Sequence, residues 1–300
     1  MQVFAGYELL DFGDGARLER FGARTVDRPH PGALGARRDP EAWDAADLRF
    51  DRDRGWTGRA AAGGSWPIDV VGLTLELRAT DAGQVGLFPE HLAMVPWLRD
   101  RVEARAAAPM TGADPTLAGP DPTPAVLHAF AYTGIATLAM AAAGAAVTHV
   151  DSSRPTVAWA RRNADASGLG DRPIRWIVDD ALAFAEREVR RGRRYDGLVL
   201  DPPSYGHGPA GQPWRLAEQL PTLIETCAAL LEPHAFVLLT AHTPDIDGDR
   251  LADLLAGGRS RPASGVRRTS GIERGDLYVE CGDGRRLELG AFARWPGGAS

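Results

Sequence analysis

The stretch Ala125-Val126-Leu127-His128-Ala129-Phe130-Ala131-Tyr132-Thr133-Gly134-Ile135-Ala136-Thr137-Leu138 decides the fold. It opens as an apolar run of strand length, turns at a single glycine, and continues with small and apolar residues that suit a helix. The same alternation repeats toward the C-terminus. Strands are expected at 146–151, 174–178, 195–201 and 235–240, with helices at 135–143, 155–166, 181–191, 216–231 and 250–256. The strands are apolar on both faces, as a parallel sheet covered by helices on both sides requires. Residues 277–280 and 287–292 flank Gly282-Asp283-Gly284 and predict a closing β-hairpin. The fold class is α/β.

Toward the N-terminus the texture changes. A Pro/Gly/Asp/Thr stretch over 109–124 predicts a linker. Leu92, Val95, Leu98 and Val102 fall at helical spacing within 89–107. Before that, short strand-like runs at 7–10, 48–50, 68–71 and 73–78 lie between Gly, Pro and Asp clusters. The expected organisation is a small β-rich N-terminal domain with a connecting helix over 1–108, the linker, and an α/β domain over 125–300. No internal repeats are found.

Composition narrows the classes. The 300 residues are 44% hydrophobic and 25% charged, ordinary for a globular protein. Every fixed cation is an arginine, a bias that genome composition explains, and the net charge of -6 gives no global basic field. The two cysteines cannot build a disulfide framework. Glu8, Asp11 and Asp14 near the N-terminus do not suit a signal peptide, and the small-apolar run over 135–147 is too short to span a bilayer. A cytoplasmic protein without a membrane partner is expected, and no Cys/His spacing suggests a metal site.

In an open parallel sheet the ligand lies at the carboxyl ends of the strands. Four strand ends carry suitable groups: Phe130 to Gly134, Asp151-Ser152-Ser153, Asp179-Asp180, and Asp201-Pro202-Pro203-Ser204-Tyr205. One glycine in the first loop is too few for a pyrophosphate, so the G-x-G-x-x-G dinucleotide pattern is absent. A nucleoside without phosphates needs less. Asp151 can accept from both ribose hydroxyls, and Asp180 from the exocyclic amine of adenine; each can equally be a helix cap. The two prolines after Asp201 remove backbone donors and force extended geometry, leaving a rigid row of acceptors. Tyr205 can stack on a base.

These residues resemble the class I S-adenosylmethionine-dependent methyltransferases, in particular the group related to bacterial large-subunit ribosomal RNA methyltransferases that act on cytosine carbon-5 or guanine ring nitrogen 7. The similarity covers 127–240 and includes Ala160-Arg161-Arg162-Asn163 and Asp180-Ala181. It implies a Rossmann-like seven-stranded sheet with the last strand antiparallel, and S-adenosylmethionine (SAM) as cofactor. Phe130, Tyr132, Thr133 and Gly134 would line the methionine end, Asp151 and Ser152 the ribose, Asp180 and Ala181 the adenine. Asn163 joins the cofactor-binding set, and Asp201, Pro202 and Tyr205 form the catalytic set, with Asp201 also beside the transferred methyl. Gly86-Leu87-Phe88-Pro89-Glu90 resembles a segment that lies over the cofactor, which adds Phe88; the group continues with Gln where this chain has His91.

One departure bears on the chemistry. Carbon-5 transfer needs a cysteine nucleophile, placed in the related sequences after the fifth strand. Here that segment is Leu239-Thr240-Ala241-His242-Thr243. Cys227 lies on a helical face with Ile224, Ala228 and Leu231, a core position. Methyl transfer to a nitrogen or oxygen of an RNA nucleotide, ribosomal by resemblance, is therefore expected. A small-molecule or protein acceptor, an NAD-dependent oxidoreductase, and an inactive nucleic-acid-binding module are the alternatives. His242 and His207 are candidate substrate contacts. His128 and His149 are expected in the core. The arginines at 187, 190, 191, 193 and 194 suit a helix end or RNA phosphate equally.

Overall fold

A computed structural model of the chain describes residues 4–59, 64–108, 123–207, 213–259 and 271–298. Most of the expected linker, residues 109–122, lies outside them. The chain forms two compact units. One comprises Met1–Val95, Arg162–Gly168 and Leu277–Leu289; the other comprises Pro96–Arg161, Leu169–Asp276 and Gly290–Ser300.

The first unit holds strands β1 (Tyr7–Gly13), β2 (Ala16–Phe21) and β3 (Arg24–Pro29), helix α1 (Pro40–Asp44), then β4 (Leu48–Asp51), β5 (Gly55–Thr57), β6 (Ser65–Val70) and β7 (Leu73–Arg78). Strands β1 to β5 form one sheet in sequence order, and β6 and β7 a separate hairpin. The expectation from sequence lacked β2 and β3. Their alternation is masked because both faces bury charge: Arg17, Glu19 and Arg28 on one face and Asp27 on the other are all buried. Asp14-Gly15, both at positive φ, make the two-residue turn between β1 and β2. Val71 was expected in a strand; it takes φ 47° in the two-residue turn with Gly72 that closes the β6–β7 hairpin.

Glu19 anchors this unit. Its carboxylate accepts from Arg28 Nε and Nη2 at 2.9 and 2.5 Å and from the Tyr7 hydroxyl at 3.1 Å, and pairs with Arg17 Nε at 3.3 Å. Burial would push its pKa up, but Arg17 and Arg28 outweigh burial and hold it below the usual range. Two distant segments belong here for definite reasons. Asn163 Oδ1 accepts the Glu76 N–H at 2.8 Å, and Ser167 Oγ exchanges hydrogen bonds with the Thr74 backbone. Cys281 bridges to Leu9, and Arg285 reaches Asp11 and the Phe12 carbonyl.

Asp11 sits beside a β-bulge in β1. It accepts from Trp43 Nε1 at 2.8 Å and from the Arg38 and Asp39 N–H groups. Burial pushes its pKa up, but these donors and Arg285 bring it down to about 2. An unfolded aspartate titrates near 3.9, so this carboxylate stabilises the fold above roughly pH 4, and that contribution disappears as pH falls toward 2. The expected loss is about 2 kcal/mol, read as a lower urea midpoint from Trp43 fluorescence at pH 2.5 than at pH 6. Asp11→Asn should flatten this acid dependence.

The first unit ends in a 3-10 turn, Pro89–Met94. A single helix was expected over 89–107, but Pro96 has no N–H for the i→i−4 ladder, so helix α2 starts only at its doorstep and spans Val95–Ala107. From Pro96 it belongs to the second unit: Arg105 Nε pairs at 2.8 Å with Asp196, which also accepts from the Ala125 N–H.

The chain continues with β8 (Ala125–Ala129), α3 (Ile135–Ala142), β9 (Ala146–Asp151), α4 (Arg154–Ala166), β10 (Ile174–Val178), α5 (Ala181–Arg190), β11 (Tyr195–Leu200), the short β12 (Tyr205–His207) and β13 (Pro213–Arg215), α6 (Leu216–Ala228), β14 (Leu231–Ala241), α7 (Gly248–Arg259), β15 (Glu273–Glu280) and β16 (Arg286–Trp295), all in the second unit except the parts of α4, β15 and β16 within Arg162–Gly168 and Leu277–Leu289. The seven-stranded sheet runs β10-β9-β8-β11-β14-β16-β15. Strands β10, β9, β8, β11 and β14 are parallel and β16 is antiparallel to β14, as the family resemblance implies. Leu127, Leu198, Leu200, Val237 and Leu239 pack with Leu220, Leu223 and Leu251 in one core. Each such side chain contributes about 2 kcal/mol by leaving water. Gly197 is required in β11, because a Cβ there would lie 2.3 Å from the Phe236 ring. No helix among the described residues is long and apolar enough to cross a membrane.

Candidate active site

From β8 the chain winds to one side through β9 and β10, then to the other through β11 and β14. The reversal opens a crevice at the carboxyl ends of β8, β9 and β11, where a parallel sheet receives its ligand. The strand tips there are bound to one another. The Ala131 N–H donates to Val150 O at 3.1 Å, Asp179 N–H to Asp151 O at 3.1 Å, and Asp201 N–H to Ala129 O at 3.4 Å.

The loop after β8 is strained. Phe130 and Tyr132 take φ 57° and 48°, and Gly134, capping α3, takes 94°. Each non-glycine in this region costs about 1–2 kcal/mol and persists only where its surroundings fix it. Asp151 supplies that fixation: Oδ2 accepts the Tyr132 N–H and Oδ1 the Ser153 N–H, both at 2.9 Å. A carboxylate has about four acceptor sites, so two remain for a diol. Burial raises the Asp151 pKa against the pull of those N–H groups. At Gly134 a Cβ would stand 3.3 Å from Ala160 Cβ, in addition to the strain of its φ. Thr133 is buried at 1% exposure, whereas Tyr132 and Ser152 are half-buried.

Asp180 caps α5: its Oδ1 accepts the Ala183 N–H at 2.9 Å. The cap reading of this residue is thus realised, and Ala181 is the first, buried residue of that helix. Phe88 and Asn163 belong to the first unit. Phe88 is half-buried there. Asn163 corrects the expectation: it is fully buried with its amide oxygen on the Glu76 N–H, a packing role.

Asp201 is braced from the neighbouring strand. Its Oδ1 accepts from Thr240 Oγ1 at 2.5 Å and lies 2.9 Å from His242 Nε2. Pro202 is buried, and the Pro203 carbonyl accepts Trp214 Nε1 at 2.7 Å. The Trp214 ring lies 5.0 Å from Phe130, linking this loop to the one after β8. Ser204 Oγ donates to His242 O at 3.0 Å. Tyr205 is 59% exposed at the start of β12. His207 ends that strand; its side chain lies outside the described residues.

Thr240 and Trp214 were not anticipated, and His242 was not paired with Asp201. A signal existed for two of them. Leu200 is level with Leu239 on the parallel neighbour, so Thr240 falls beside Asp201, and His242 shares its face by period two.

The remaining sequence candidates resolve into structure. Cys227 and Cys281 are buried, and burial pushes both thiols up to about 12. His128 Nδ1, Thr137 Oγ1 and His149 Nδ1 form a buried chain at 2.7 and 2.9 Å, but His149 Nε2 has no partner among the described residues. Burial drives His149 well below its ordinary pKa, so the ring is neutral. In the arginine group, Arg187 pairs with Asp179, Arg191 with Glu188, and Arg194 with the Ala229 carbonyl.

No protein-family model matches the chain. It is 34% identical over 158 residues to the ribosomal RNA large subunit methyltransferase K/L of Methylococcus capsulatus, covering 52% of this chain and 21% of that protein. Against the ribosomal RNA large subunit methyltransferase K of Neisseria meningitidis it is 34% identical over 82 residues, 27% of this chain and 23% of that protein. The chain spans about a fifth of the length of the curated relatives it matches. Among solved structures, the SAM dependent methyltransferase from Agrobacterium tumefaciens superposes with a TM-score of 0.84 at 35% identity, over 97% of this chain and 90% of that one. A Streptococcus mutans protein described as a SAM-dependent methyltransferase gives 0.69 at 14% identity over 96% and 75%, a likeness of fold.

Proposed function

Since the chain belongs to the S-adenosylmethionine-dependent methyltransferases, we propose that it methylates a nitrogen or oxygen of an RNA nucleotide, with ribosomal RNA as the source. SAM is its cofactor and, when bound, supplies an electrophilic methyl on a sulfonium. The observation that carries the rest is Asp201, held at the switch point by Thr240 and His242 on a proline-stiffened loop. It accepts a hydrogen bond from an N–H or O–H of the acceptor nucleotide, which holds the reacting lone pair in line with the methyl. The enzyme's contribution is proximity, alignment and fixed acceptor charge. Any proton released passes to the Asp201–His242 pair.

Asp151 takes the ribose hydroxyls with Ser152 beside it. Phe130, Tyr132, Thr133 and Gly134 frame the methionine end, and Asp180 and Ala181 the adenine side. Tyr205 offers its exposed ring to the base, and Pro202 fixes the carbonyl row. The first unit is read as the part that selects the substrate. Carbon-5 chemistry is disfavoured because both thiols are buried and protonated, and attack on a pyrimidine ring needs a thiolate. The ribosomal source is supported by the likeness to ribosomal RNA large subunit methyltransferases, and with it goes a cytoplasmic site of action.

The test is incubation with methyl-labelled SAM and fractionated cell RNA, protein and metabolites. Label is expected in large ribosomal RNA, on a nitrogen or oxygen after nuclease digestion. Label confined to the protein or metabolite fraction overturns the RNA assignment.

A further inference from the structure

The first unit contains a cavity of about 300 Å³ lined by Arg24, Leu48, Ser65, Trp66, Glu76 and Arg78. That volume lies at the lower end of ligand pockets and suits a mononucleotide-sized group. Its charge is opposite to that of the chain as a whole. Glu76 is paired with Arg162 at 2.8 Å, so the lining carries net positive charge in a protein of net charge -6. Ser65 and Arg78 face each other across the β6–β7 register. Arg24 is preorganised: its Cζ sits 4.7 Å from the centroid of the Trp66 ring. The indole is itself fixed by its Nε1 on the Phe21 carbonyl at 3.1 Å. Among the described residues Arg24 has no carboxylate partner, so its fork of donors is unspent.

A guanidinium stacked on an indole is a flat cationic platform. One edge binds a phosphate by paired hydrogen bonds, and its plane extends an aromatic stack to a base. We propose that this cavity binds one unpaired nucleotide of the RNA substrate, its phosphate on Arg24 and Arg78 and its base on the Arg24 plane. The proposal rests on RNA being the substrate and adds where the first unit holds it.

The experiment titrates the full chain into a fluorescein-labelled, mixed-sequence single-stranded RNA of roughly 12 nucleotides, followed by anisotropy at several salt concentrations. Calorimetry of SAM binding runs alongside. Two variants are compared: Arg24→Gln, which removes the platform, and Ser65→Phe, which fills the cavity from an exposed strand position without removing charge. Arg24→Gln is expected to weaken RNA binding roughly tenfold and to lower the salt slope by about 0.7, the share of one phosphate on a single strand. Ser65→Phe should weaken binding roughly fivefold or more, with SAM affinity unchanged in both. If wild type binds the RNA and both variants match it, the cavity assignment fails and the RNA reading survives. If wild type binds SAM but no RNA, both fail. Displacement of the RNA by inorganic phosphate at equal phosphate concentration overturns the nucleotide assignment in favour of a bare anion site.

Discussion

Asp201→Ala is expected to lower the methyl-transfer rate by roughly 10³-fold while SAM affinity stays essentially unchanged. The carboxylate lies beyond β11, and the residues proposed for the ribose and methionine ends lie at the end of β9 and in the loop after β8. Removing it takes away an acceptor aimed at the nucleophile without touching the strained loop or its Asp151 clamp. Asp201→Asn keeps the shape and one acceptor oxygen but loses the charge, so it should sit close to the alanine variant. His242→Ala removes a brace on Oδ1 and should cost less, about tenfold, because Thr240 still holds the carboxylate. Single-turnover rates with labelled SAM, paired with calorimetric affinities, separate alignment from binding. An Asp201→Ala enzyme that turns over its RNA at the wild-type rate ends the assignment.

The largest stability effect belongs to Glu19. Its replacement by alanine leaves Arg17 and Arg28 facing each other in an interior where both are buried, without the carboxylate that binds both; Arg17 keeps the weaker pull of the buried Glu90. Breaking a buried ion cluster from one side costs about 3–5 kcal/mol, since the stranded charges cannot regain water. That is a large fraction of the 5–15 kcal/mol by which domains are stable. The expected result is a first unit that melts at much lower urea, seen from Trp43 and Trp66 fluorescence. A shift below about 1 kcal/mol would show that the cluster relaxes to solvent and is not an anchor.

The two units were unequally legible in the sequence, for a physical reason. In the second, helices cover both faces of a parallel sheet, so the strands are largely apolar on both faces; 146–151 and 174–178 coincide with β9 and β10 to the residue. The strand ends that carry the candidate residues were legible to the same extent, because strand ends are fixed once strands are. What escaped was contact made sideways. Thr240 and His242 reach Asp201 from a neighbouring strand, and Trp214 reaches Pro203 from β13. In the first unit the buried faces of β2 and β3 carry arginines and acids whose partners lie on other strands. Hydrophobic periodicity cannot see a core that is ionic. Asn163 shows the converse limit: a residue type suited to ligand binding, spent on the backbone of β7.

The brace on Asp201 comes from β14, whereas the clamp on the loop after β8 comes from β9, on the opposite side of β8. No hairpin or single crossover therefore contains both halves of the proposed centre. During synthesis Asp201 stays unbraced until Thr240 on β14 has emerged and taken its place. Thereafter cofactor occupancy acts as a latch on the finished sheet, tightening it by RT ln(1 + [L]/Kd).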